Sequence, residues 1–238
     1  MKTTKKYLLK NRVVEKLKNT RKYFSYEDIK VLLEEERIEI PPQLLKVYIF
    51  ELVKTRVLFG AGKGWYSSIE NAFQLNLKPV EQVIKKLEKK LPLLKFSCWS
   101  TEQLNSFTHH LMSKFVTFIY VDSDYIRNTA QVLRDAGYDI YANPVKKEIE
   151  KQFVLNRETL IVRPSISRQP GINKNYAPVE KILADFLIEN EKVKIMEKSE
   201  AYGTVYNVIV SGRINISMFL SYSKRRRLDV FDLLTNSK

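Results

Sequence analysis

The sequence has few of the residues that build disulfides and metal centres. It contains one cysteine, Cys98, and two histidines, His109 and His110. A single cysteine cannot form an intramolecular disulfide, and these three residues do not have the spacing of a zinc site. The two histidines fall on a predicted helix at residues 101–112, where adjacent side chains point about 100° apart and so do not form a paired metal site. We therefore expect neither a metal nor a cofactor, and Cys98 is predicted to be a core residue.

Long apolar runs are also missing. No stretch approaches the ~18 apolar residues that a membrane helix needs. The basic N-terminus is followed by Asn11, Arg12 and Glu15, which interrupt the apolar core that a signal peptide requires. These absences predict a cytoplasmic protein that makes no contact with a membrane.

Glycine is scarce, and its positions argue against nucleotide chemistry. The run Gly60-Ala-Gly-Lys63-Gly departs from a phosphate-binding loop because Gly64, not serine or threonine, follows the lysine. Asp122-Ser-Asp124 follows a hydrophobic strand, as the metal-binding carboxylates of nucleotidyltransferases do. The upstream glycine turn that binds the phosphates in those enzymes is lacking, so Asp122 is predicted to cap the next helix. No Gly-x-Ser-x-Gly nucleophile elbow occurs, and we predict no catalytic residue.

Acidic residues are too few to balance the basic ones. The chain has 41 Lys and Arg against 27 Asp and Glu, which gives a net charge of +14 and a pI near 9.6. Such an excess favours polyanionic partners, of which nucleic acid is the commonest, although a solubilising surface would have the same composition. Residues 1–72 have a net charge of +6, and the remainder has +8.

What the first 72 residues do contain is an ordered set of helix and turn signals. A helix is predicted at residues 3–18, and a capping box of Ser25 and Asp28 opens a second one. Prolines 41 and 42 end a turn before a third helix at residues 43–55, and a hairpin with a Gly-Lys-Gly turn follows. Three helices and a hairpin in this order predict a winged helix-turn-helix domain at residues 1–72 that binds double-stranded DNA.

The third helix is the predicted recognition helix. With its apolar stripe in the core, it turns five side chains outward, namely Gln43, Lys46, Val47, Phe50 and Lys54. Gln43 can read adenine through two hydrogen bonds, and Lys46 suits phosphate or guanine. Arg56 at the base of the hairpin and Lys63 at its tip are predicted to bind phosphate.

The rest of the chain alternates strands with helices from residue 78 onward. This predicts a mixed α/β domain at residues 78–238, with a small sheet flanked by helices, and makes the whole chain a two-domain α+β protein. Near its end lies a basic cluster formed by Lys224, Arg225, Arg226 and Arg227. The cluster is a candidate surface for a partner or nucleic acid, and a solvated helix surface is the alternative.

Two motifs of this second part are similar to those of a known family. A strand ends in Ile161-Val162-Arg163-Pro164, and a helix opens with Ala177-Pro178, Glu180-Lys181, Leu183 and Asp185. Together with Tyr222, Arg225 and Arg226 near the end, the chain resembles the AbiEi family of bacterial antitoxins and transcriptional regulators. The resemblance implies a DNA-binding autorepressor of its own promoter, in a type IV toxin–antitoxin system with a nucleotidyltransferase-like toxin that it need not contact directly.

Two rival hypotheses stay open beside the regulator. One is a metal-dependent nuclease or nucleotide-processing enzyme, targeted by the winged helix, whose site would draw on Asp122, Glu148, Glu180 and Lys181. The other is an interaction module in which the winged helix binds protein.

Overall fold

The computed structural model describes residues 4–154, 156, 158–171 and 173–235. The described chain is α+β, as predicted, with helices and two separate sheets. Within these residues, no helix combines the length and the apolarity needed to cross a membrane.

The N-terminal part begins with one helix in three pieces, which has a π-helical segment, Leu9–Val14, between two α-helical ones. The α-helices and strands of the N-terminal part are, in chain order, α1 (Lys5–Leu8), α2 (Glu15–Thr20), β1 (Tyr23–Ser25), α3 (Tyr26–Glu35), α4 (Pro42–Lys54), β2 (Phe59–Gly60) and β3 (Trp65–Ser67). The π-helical segment lies between α1 and α2. The three strands form an antiparallel sheet in the order β1-β3-β2.

Local sequence explains where these helices begin. The backbone N–H of Ser25 donates to Oδ2 of Asp28 at 2.6 Å, and the backbone N–H of Asp28 donates to Oγ of Ser25 at 3.1 Å. The predicted capping box of α3 is therefore confirmed. Pro42 stands in the first turn of α4, where its missing N–H has no intrahelical partner to lose.

The central part follows with helices on both sides of four strands. Its elements are α5 (Lys78–Lys90), β4 (Phe96–Ser100), a 3₁₀ helix (Thr101–Phe107), β5 (Phe115–Val121), a short 3₁₀ helix (Ser123–Tyr125), α6 (Ile126–Asp135), β6 (Asp139–Ala142), α7 (Lys146–Gln152), β7 (Glu158–Pro164), α8 (Val179–Val193) and α9 (Lys198–Ser211). The sheet order is β4-β5-β7-β6, in which β5, β7 and β6 are parallel and β4 is an antiparallel edge. Apolar residues of α5 and α6 cover one face of this sheet.

The C-terminal part is short and helical. It consists of α10 (Ile216–Arg225), which Asn215 caps through its side chain, and α11 (Asp232–Thr235). Positions 236–238 of the predicted second domain lie outside the described residues.

The chain divides into two compact units, and this division differs from the predicted one. The first unit contains Met1–Phe73 together with Ile209–Lys238, and the second contains Gln74–Val208. The predicted boundary at residue 72 stands one residue before the break after Phe73. The predicted second domain, at residues 78–238, includes Ile209–Lys238, which this division groups with the first unit, and β1 and the β2–β3 turn bond directly to that segment.

Candidate nucleic-acid interface

The outer face of α4 carries the predicted recognition residues together. At 100° per residue, Gln43, Lys46, Val47, Phe50 and Lys54 fall within about 100° of helix circumference. All five are exposed, whereas Leu45, Ile49 and Leu52 are buried on the opposite side. The predicted outward orientation of these five side chains is confirmed, and their role in recognition stays a prediction. Glu51, at its margin, pairs through Oε2 with Nζ of Lys6 at 2.5 Å.

Arg56 follows α4 in an unusual backbone conformation. Its φ is +56°, in the left-handed region that favours glycine, and its side chain is 80% exposed. The Val57 N–H donates to the Leu52 carbonyl at 2.9 Å, which closes the helix in a Schellman arrangement with Arg56 where glycine is usual. Its guanidinium lies 3.7 Å from Oε1 of Glu70, an exposed contact that contributes little to stability.

Lys63 stands at the tip of the β2–β3 hairpin, as predicted. Its side chain is exposed, and the glycines on either side have positive φ values of +104° and +72°. The C-terminal segment forms two hydrogen bonds with the backbone of this turn. The Lys63 N–H donates to Oγ of Ser217 at 3.0 Å, and the Ile216 N–H donates to the Ala61 carbonyl at 2.8 Å.

Tyr23 ties β1 to the same segment. Its buried hydroxyl is within hydrogen-bonding distance of the carbonyls of Ile209, at 3.1 Å, and Gly212, at 3.0 Å. It also accepts a hydrogen bond from the Ile214 N–H at 3.0 Å. The sequence does not predict these hydrogen bonds of the Tyr23 hydroxyl, because residues about 190 positions apart leave no local pattern that links them.

The basic cluster at the end of α10 belongs to the first unit. Lys224, Arg225 and Arg227 are exposed, and Arg226 is half-buried. Arg225 donates to Oγ of Ser221 at 2.9 Å and lies 5.9 Å from the Tyr222 ring centre. The cluster is therefore not one uniform surface.

With the units divided as the structure has them, the positive charge is unevenly shared. The first unit holds 21 Lys and Arg against 11 Asp and Glu, a net charge of +10. The second holds 20 against 16, a net charge of +4. The sequence-based division at residue 72 gives two nearly equal net charges, because it counts the C-terminal basic cluster with the second part.

Comparison with known families assigns most of the chain. A family model matches residues 44–235, from the first turn of α4 to the end of α11. The chain belongs to DUF6577, a family of unknown function. Neither the curated proteins nor the solved structures gave a match.

In this DUF6577 chain, the motif residues of the second unit form a buried ionic cluster. Lys181 and Asp185 are fully buried, one turn apart on α8, and form an ion pair. The Lys181 ammonium lies 3.7 Å from the centre of the Tyr120 ring on β5. Nε of Arg163 on β7 donates to Oε2 of Glu189 at 2.9 Å. These contacts hold α8 against the sheet and are closed to solvent.

In the DUF6577 chain, the residues of the nuclease hypothesis cap helices or are buried. Asp122 caps the 3₁₀ helix at Ser123–Tyr125 by accepting from the Asp124 N–H at 3.3 Å, as predicted for a cap. Glu148 accepts from the Val145 N–H at 2.9 Å, while Glu180 and Lys181 are buried. Among residues 4–154, 156, 158–171 and 173–235, no group of three His, Cys, Asp or Glu could hold a metal ion.

The remaining candidates of this DUF6577 chain are one histidine pair and one cysteine. The 3₁₀ helix ends at Phe107, so His109 and His110 lie outside any helix and their ring centres are 4.4 Å apart. The predicted helix through residue 112, with rings pointing apart, is thus wrong. Cys98 is buried in β4, as predicted, and burial raises the pKa of its thiol far above the ordinary value.

Proposed function

We propose that the first unit is a winged helix-turn-helix domain that binds double-stranded DNA. Its order of helix, strand, two helices and hairpin, with β1 paired to β3, agrees with that fold. In this proposal α4 enters the major groove, and the β2–β3 hairpin is the wing that lies along the backbone. Arg56 and Lys63 then contact phosphates, and Gln43 and Lys46 contact bases or phosphates.

The observation that carries the proposal is the outer face of α4. Gln43, Lys46 and Lys54 share this exposed face, and no acidic side chain lies among them. A bidentate amide and two ammonium groups on one face of an exposed helix match what base edges and phosphates accept. The net charge of +10 on the same unit adds the long-range attraction that brings a polyanion to it.

The narrower proposal is a transcriptional regulator of the antitoxin type. It rests on the resemblance to AbiEi proteins, carried by Arg163, Glu180, Lys181 and Asp185 in the second unit. In this proposal the protein represses its own promoter, is not an enzyme, and opposes a nucleotidyltransferase-like toxin without a stable complex. Since these motif residues are buried, they support the fold of that unit, and the surface that opposes the toxin must lie elsewhere.

Titration of the full chain on DNA tests the first proposal. We expect tight binding to a duplex from upstream of its own gene, weaker binding to a shuffled duplex, and a steep loss of affinity with salt. Gln43→Ala should change the preferred sequence, whereas Lys46→Ala should weaken binding to all sequences. Equal binding of both duplexes would contradict the regulator, and no salt-dependent binding to either would contradict DNA binding altogether.

The narrower proposal needs its own experiment. Co-expression with a toxin encoded beside it should restore growth, and Gln43→Ala should impair repression while leaving that rescue intact. Lack of rescue, with repression preserved, would leave a DNA-binding regulator and remove the antitoxin role.

A further inference from the structure

Two apolar side chains are exposed on the outer face of α4. Val47 is 51% exposed and Phe50 is 67% exposed, between Lys46 and Lys54. The same helix buries its other apolar face in the core through Leu45, Ile49 and Leu52. An exposed phenylalanine on an otherwise amphipathic helix leaves apolar surface in water, which calls for an apolar partner.

The surroundings of this pair favour nucleic acid over protein. Lysines flank Phe50 one turn away on each side, and lysine is depleted in the cores of protein interfaces. The unit that carries them has a net charge of +10, which repels a second copy of itself and attracts a polyanion.

DNA presents one apolar group in its major groove, the 5-methyl group of thymine. Along the helix axis, Gln43 and Val47 are about 6 Å apart and Val47 and Phe50 about 4.5 Å apart, at ~1.5 Å per residue. With base pairs about 3.4 Å apart, this face spans about three steps of the duplex. Gln43, which can pair with adenine, and the two apolar side chains thus suit the two partners of an A·T pair.

We propose that Val47 and Phe50 determine sequence preference by contacting thymine methyl groups, which makes the site of α4 rich in A·T pairs. This inference rests on the proposed DNA-binding function. It assigns to these two residues a role in sequence preference that phosphate contacts cannot have, because phosphate contacts carry no sequence information.

Uracil substitution isolates the methyl group. Duplexes selected from a random library by the full chain are compared with copies in which each thymine in turn is replaced by uracil, which removes only that methyl group. We expect affinity to fall about fourfold for each contacted position, the loss for one buried methyl group. In Phe50→Ala, the thymine-to-uracil ratio at its position should fall to about one, whereas Val31→Ala, which alters an exposed valine of α3, should keep it.

The outcomes separate this inference from the function on which it rests. Selected DNA that binds equally well with uracil throughout would overturn the methyl contacts and leave DNA binding in place. Absence of any selected DNA would overturn both. A Phe50→Ala chain that changes oligomeric state in size-exclusion chromatography, with its thymine preference intact, would reassign the pair to a protein interface.

Discussion

The backbone N–H of Lys63 donates a 3.0 Å hydrogen bond to Oγ of Ser217, which lies 154 positions further along the chain. The start of α10 therefore holds the backbone at the tip of the hairpin, while the Lys63 side chain is exposed. In the proposed DNA-binding mode, a hairpin that is ordered before DNA arrives loses less conformational entropy on binding.

Gly62 should be intolerant of a side chain for this reason. An alanine Cβ there would lie 2.2 Å from Oδ1 of Asn215 and 2.3 Å from Oγ of Ser217, and φ is +104°. Gly64→Ala is the matched control, because its φ is also positive, at +72°, but no atom lies within 4 Å of its Cβ. In urea unfolding we expect a loss of about 1–2 kcal/mol for Gly64→Ala from backbone strain. The loss for Gly62→Ala should be larger by at least about 1 kcal/mol. Equal losses would mean that the turn and α10 separate freely.

Arg56→Gly separates a binding role from a structural one. Glycine relieves the left-handed strain at φ +56° while removing the guanidinium, so the free energy of unfolding should stay within about 1 kcal/mol of the parent value. Affinity for DNA should fall by several-fold. Lys194→Gly provides the same change at φ +58° in the second unit and should leave affinity unchanged. Unaltered affinity in Arg56→Gly would remove this arginine from the interface.

Lys63→Ala should reveal a single phosphate contact. We expect weaker binding with the same sequence preference, and a plot of log affinity against log salt that is shallower by about 0.9. Lys89→Ala removes the same charge from an exposed position in the second unit, and its slope should match that of the parent chain. A parent-like slope in Lys63→Ala would place the hairpin tip away from the backbone of DNA.

Arg225 and Arg226 should respond differently to charge reversal. Arg225 is exposed, so Arg225→Glu should preserve the melting temperature and weaken DNA binding. Arg226 is half-buried, so Arg226→Glu should lower the melting temperature, since a carboxylate would replace a partly desolvated cation. Thermal unfolding followed by circular dichroism distinguishes the two. Similar melting temperatures, with binding unchanged in both, would make the cluster a solvated surface.

The Lys181–Asp185 pair should behave as a unit. Both side chains are fully buried, so Lys181→Met leaves the buried Asp185 carboxylate without this ion pair, at a cost of about 3–5 kcal/mol. Replacing both residues, as Lys181→Met with Asp185→Leu, should cost less than the sum of the single changes. Denaturant titrations of the four chains form the double-mutant cycle. Additive losses would show that the pair contributes no coupling.

Local signals account for most of the first unit. The capping box of Ser25 and Asp28, the proline start of α4 and the glycines of the hairpin act over a few residues, so the sequence alone locates them. The buried stripe of α4 follows from helical periodicity in the same way. The hydrogen bonds of Tyr23 and Ser217 to distant residues have no local signature, so the sequence alone predicts the C-terminal segment as part of the second domain.

Helix α9 is difficult to locate from the sequence for another reason. It contains Gly203 and several β-branched residues, which have low helix propensity, so the segment lacks a clear helix signal. Burial nevertheless recurs at Ala201, Val205, Val208 and Ile209, at helical spacing. Tertiary packing has overridden propensity here, and periodicity alone was the signal that could have found the helix.

The first unit is assembled from two segments that the ribosome makes at different times. About 135 residues of the second unit separate them, and at ~5–20 residues per second their synthesis takes about 7 to 27 s. During that interval the nascent chain has α4 and the hairpin but neither Ser217 nor Ile209, Gly212 and Ile214, to which the Tyr23 hydroxyl bonds. If the protein represses its own promoter, only chains translated past Ser217 bring the hairpin to the operator in its hydrogen-bonded form.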